Sequence, residues 1–175
     1  MRIPLLATIL TGTLALTGCT KVVSLNGFVA EDDAVTDRAL TGVWQDKDGD
    51  GIYVVHQVGK SYSIIATDRS STVKLEARLM LAGDSRILDI TAKDPAPCQL
   101  PVHVPARIWL SGDTLKMVFL DSDWLRKLAV EQLGALTADK RTVIGSPPVA
   151  VRLFIAKYGG DPRALGDEQL FVKVQ

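Results

Sequence analysis

Cysteine and histidine are scarce in this chain, with two of each among 175 residues. Two cysteines cannot staple a disulfide scaffold or complete a thiolate zinc site. Two histidines leave no His-Glu-x-x-His, and no Gly-x-Ser-x-Gly is present either. A surplus of one charge is missing too: 20 Lys and Arg stand against 20 Asp and Glu. That balance offers no electrostatic footprint for nucleic acid. No internal repeat, low-complexity tract or second long apolar run follows the first sixteen residues. What remains, 47% hydrophobic and 23% charged with 14 Gly and 8 Pro, is the make-up of one ordinary globular domain.

The N-terminus carries the clearest signal. Met1-Arg2 is a short positive start, Ile3 to Leu16 is apolar and uncharged, and Leu16-Thr17-Gly18-Cys19 places small residues before a cysteine. The run is too short to span a bilayer comfortably and reads as a secretory signal. Leu-Thr-Gly-Cys resembles the lipobox of bacterial lipoproteins. The resemblance implies cleavage after residue 18 and acylation of Cys19, which would anchor the chain to a membrane. With Thr20 rather than Asp after the cysteine, it favours the outer membrane if the source is Gram-negative, in a lipid-anchored, periplasm-facing place in the cell envelope. Several acyl chains, at about 0.8 kcal/mol per buried methylene, hold a protein without any protein–lipid interface. Cys98 then has no intramolecular partner. It is either an intermolecular disulfide or reactive thiol, or, as free cysteines commonly are, a small residue tucked under a proline-stiffened loop.

Residues 19–39, with Glu31-Asp32-Asp33 and no periodicity, read as an acylated N-terminus and tether, and residues 40–175 as one domain. From Leu40 onward, short apolar segments alternate with turn signals, the pattern of an antiparallel barrel or sandwich. Val73, Leu75, Ala77, Leu79 and Leu81 share one face of a strand, with Lys74, Glu76 and Arg78 opposite. Val102, Val104, Ala106, Ile108 and Leu110 repeat it, with His103, Arg107 and Trp109 opposite. After Asp121 the period changes. Trp124, Leu125, Leu128, Ala129 and Leu133 form a helical stripe between a cap at Asp121 or Ser122 and a stop at Gly134. A second helix begins at Ser146-Pro147-Pro148, buries Val151, Phe154, Ile155 and Tyr158, and ends at Gly159-Gly160. Leu170 to Val174 is a closing strand.

Leu40-Thr-Gly42-Val-Trp44-Gln45, followed by hairpin-linked strands, resembles the start of a lipocalin-like (calycin-like) barrel over about residues 40–133. The resemblance implies that Trp44 plugs one barrel end. Gly-x-Trp early and Asp121-Ser-Asp-Trp-Leu125 later are also similar to a group of uncharacterised bacterial lipoproteins.

Several short motifs suggest chemistry, and each has a simpler explanation. Asp46-Lys-Asp48-Gly-Asp50-Gly51 matches the first half of an EF-hand loop, but its twelfth position is Gln57 and a β-rich run follows. Asp-Gly between strands is hairpin chemistry. Ser71-Thr-Val-Lys74 matches Ser-x-x-Lys, yet on a strand these two side chains face opposite ways. Gly59-Lys60-Ser61 lacks the earlier glycine of a phosphate loop. His56, in line with Ile52, Val54 and Val58, reads as a partly buried histidine.

The fold class expected is mainly β: a small antiparallel lipocalin-like barrel or strongly curved sheet with two C-terminal helices. The function expected is a noncatalytic, membrane-anchored envelope lipoprotein serving as an interaction or structural module, with a carrier of a small apolar ligand as the alternative. Expected contacts with a partner, such as another envelope protein, or with a ligand are Trp44, His103, Trp109 and Trp124. No cofactor, metal or nucleic acid is expected. Mostly medium-to-large inward side chains suggest a filled interior without an open pocket of roughly 300 Å³ or more, with Trp44 at one end and the Trp124 helix across the other.

Overall fold

The computed structural model describes residues 21–95, 99–138 and 141–174. Cys19 and Cys98 lie outside them. Eleven strands and two helices run in the order β1 (Val22–Ser24), β2 (Gly42–Asp46), β3 (Ile52–Val58), β4 (Ser61–Thr67), β5 (Thr72–Ala82), β6 (Ser85–Ala92), β7 (His103–Ser111), β8 (Thr114–Phe119), α1 (Asp123–Leu133), β9 (Leu136–Ala138), β10 (Arg141–Ile144), α2 (Pro148–Tyr158) and β11 (Glu168–Lys173). Strands β2 to β8 pair antiparallel in sequence order. The C-terminal strand β11 then closes the ring between β8 and β2. The result is a closed eight-stranded antiparallel barrel, consistent with a lipocalin-like one.

Alternation sorts the side chains of each strand. Leu75, Ala77 and Leu79 of β5 point inward with Leu88 and Ile90 of β6, Val104, Ala106 and Ile108 of β7, and Tyr62 and Ala66 of β4, forming the interior cluster. The outer face of β5 changes character along its length. Lys74, Glu76 and Arg78 give way to Met80, which is buried with Ile87 of β6 in a second cluster. There α2 lies against the outer wall, burying Val151, Phe154 and Ile155. Helix α1 buries Leu125 and Ala129 and packs on β10, on α2 and on the 3-10 turn Pro162–Ala164. The Ser122 side chain accepts from the Leu125 amide, and Gly134 takes the left-handed conformation (φ 60°) that ends the helix. The Trp124 helix therefore does not lie across a barrel opening. It belongs to an outer layer, because the strand pair β10–β9 and the turn after α2 give its apolar stripe another surface.

From Lys21 onward, the segment read as a tether is folded. β1 runs parallel to β10 and meets β7 at Ser24–His103. Val22, Phe28, Val29 and Ala34 are buried in the outer cluster. The acidic turn at Glu31–Asp33 is exposed, as are Lys21, Leu25, Ala30, Thr36, Arg38 and Ala39. Packing, not periodicity, orders this stretch. Leu81 departs from its expected inward stripe by being exposed at the strand end, and His56 is exposed on the outer face of β3. No helix among the described residues is long and apolar enough to cross a membrane.

Candidate functional site: the barrel interior

One barrel end is closed. The 3-10 turn Arg38–Leu40 runs into β2, and the Trp44 indole, 1% exposed, donates to the Leu40 carbonyl at 2.9 Å. Val35 bridges to Leu79 beside it, and the Tyr62 hydroxyl meets the backbone of Asp37. The Arg86 guanidinium pairs with the Asp37 carboxylate at 3.2 Å. Trp44 thus sits where the resemblance placed it. An indole there offers bulk together with one donor, and the local 3-10 turn supplies the acceptor.

Below this plug the interior is not filled. A cavity of about 260 Å³ lies among Val55, Ile64, Leu75, Leu88, Leu115 and Phe171, with Trp44 and Tyr62 at the closed end. This corrects the expectation of a filled core, although the volume stays under the roughly 300 Å³ of common ligand pockets. It exceeds the ~150 Å³ apolar cavity that admits benzene. In its lining, Ala77 presents only a methyl where its neighbours present branched or aromatic groups.

The opposite end is the mouth. Asp121, Asp167 and Gln169 line the cavity there, the last two exposed to solvent. Tyr53 stands edge-on to Phe171, with ring centroids 4.9 Å apart. Burial pushes the Tyr53 phenol up, reinforced by the carboxylates of Asp46 and Asp68. Burial likewise raises the Asp121 carboxyl. The Lys21 backbone amide and charge oppose this, while Asp167 and Asp123 add to it. Gly166 leaves room for it, because a Cβ there would come within 1.7 Å of the Asp121 Oδ1 and push the carboxylate aside.

Of the four expected contact residues, only Trp44 lines this cavity. His103 and Trp109 project outward from β7. His103 Nδ1 lies 2.7 Å from Asp89 Oδ1, and Asp89 Oδ2 accepts the amides of Phe28 and Val29. The pair therefore clamps the N-terminal segment to the barrel wall. Trp109 lies between Arg107 and Lys116, with the cations 4.6 and 4.5 Å from its ring. Trp124 packs edge-on to Tyr158 and under Arg163. The aspartates from Asp46 to Asp50 form the β2–β3 turn, in which the Asp50 amide donates to Asp46 and Asp50 pairs with Arg69. Among the described residues, no group of three His, Cys, Asp or Glu could hold a metal ion. Asp167 and Gln169 escaped sequence reading, and Asp121 was read as a candidate helix cap and as the start of Asp121-Ser-Asp-Trp-Leu125 and not as a cavity residue, because all three sit at or near strand ends, where alternation carries no signal. No family model, curated protein or solved structure matches the chain.

Proposed function

We propose that the chain is a noncatalytic, membrane-anchored lipoprotein whose barrel carries a small apolar ligand. The observation that carries this reading is the apolar cavity of about 260 Å³ inside a closed barrel with one plugged end and one open end. A core selected for stability alone would gain by filling such a void, since burial and dispersion both reward contact. The anchor rests on the signal-like run and Leu16-Thr-Gly-Cys19. Its position suits a carrier. Lys21 lies against Asp121 at the mouth, and two residues span at most about 7 Å, so a lipid on Cys19 would hold the mouth end near the bilayer.

A second reading, docking of another envelope protein, is favoured by β9. It is the end strand of its sheet, with all three residues exposed and Leu136 76% accessible. Native mass spectrometry of the purified chain separates the two readings: a retained small apolar molecule supports the carrier, and a protein partner with an empty barrel supports docking. For the anchor, Cys19→Ala is expected to abolish fatty-acid labelling and leave an uncleaved precursor. Persistent labelling would refute it.

A further inference from the structure

We propose that the barrel's ligand is a single-chain amphiphile with a cationic head group, its alkyl chain in the cavity and its charge at the carboxylates of Asp121 and Asp167; this rests on the carrier reading above. The deep polar atoms are already engaged within the protein: the Trp44 indole donates to Leu40, and the Tyr62 hydroxyl is held by Asp37. A polar group pushed to that depth would find no partner, which is costly. Only an apolar moiety fits there, and the volume suits one short alkyl chain rather than a branched or multi-chain lipid.

Polarity returns at the mouth, where the carboxylates of Asp121, Asp167, Asp46 and Asp68 outnumber the cations Lys21 and Lys47. Asp121 is 9% exposed and lines the cavity. Asp167 lies beside it, close enough to act on its carboxyl, and Asp46 and Asp68 act on Tyr53 at the same end. None of these four carboxylates takes part in a salt bridge among the described residues, whereas the nearby Lys116, Lys74 and Arg69 are already paired with Glu168, Asp94 and Asp50. Lys21 offsets part of the charge at Asp121. The remaining field attracts an ammonium and repels a fatty carboxylate. Partial burial strengthens both effects over their values in water.

The test is calorimetric titration of the purified chain with decylamine, decanol and decanoate, all below their aggregation concentrations. Decylammonium is expected to bind about tenfold or more tightly than decanol, and decanoate more weakly than either. In the Asp121→Asn, Asp167→Asn double variant the amine should fall to the level of the alcohol, with decanol unchanged. Decanol reports the folded cavity in that variant. Equal binding of amine and alcohol by the native chain, or tightest binding of decanoate, overturns the head-group inference and leaves the carrier reading standing. Absence of binding by all three overturns both.

Discussion

Two buried aspartates illustrate opposite uses of a carboxylate. Asp89, 4% exposed, is satisfied: two backbone amides and His103 meet its oxygens. Asp89→Ala should cost about 1–3 kcal/mol for each amide left buried and unpaired, seen as a lowered urea midpoint with faster amide exchange at Phe28 and Val29. Asp121 instead carries a burial cost. Its carboxyl is raised above the ordinary 3.8, chiefly by desolvation. As pH climbs through 3.8 the unfolded chain loses this proton first, so Asp121 removes stability up to its raised folded value and holds that deficit above it. Asp121→Asn should therefore be more stable than the native chain at neutral pH and flatten the pH–stability curve across that window. A stability loss at pH 7 would show that the Lys21 contacts outweigh the burial cost. Gly166→Ala tests the same site without changing charge, since the added methyl must displace the Asp121 carboxylate.

At the scale of elements, α1 depends on its ends. The Ser122 cap satisfies an amide that the helix leaves free, so Ser122→Ala should cost about 1 kcal/mol, measurable as a shift in the thermal midpoint. This helix was legible because capping, stripe and stop are all local. The barrel strands were legible for the same reason, each carrying its own alternation and turns. Strands β1, β9 and β10 were not. They are three to four residues long, too short for a period, and β1 and β10 find each other across more than a hundred residues. Val22, Phe28 and Val29 looked like apolar residues scattered in a tether because the cluster that buries them is drawn from α1, α2, β10 and the outer barrel wall. One signal was available there: the outward residues of β5 turn from Arg78 to Met80 and Ala82, marking a wall that something must cover.

The molecule as a whole is a barrel with two apolar regions, an interior and an outer layer, and the interior is incompletely packed. That could not be read from the strands, because the room beside Ala77 exists only once closure sets it among Ile64, Leu75 and Leu88. Leu79, 1% exposed in the interior cluster yet outside the cavity lining, should behave as a dry core residue. Leu79→Ala is expected to cost about 2–5 kcal/mol by equilibrium unfolding. The most direct test of the central claim is titration of decanol into the native chain and into two variants that fill the cavity, Val55→Trp and Ile64→Trp, with circular dichroism reporting the fold. Saturable binding of one decanol per native barrel, lost in a filled variant that keeps its β spectrum, is the expected result. Failure of the native chain to bind, or undiminished binding by both folded variants, would contradict a ligand-carrying barrel.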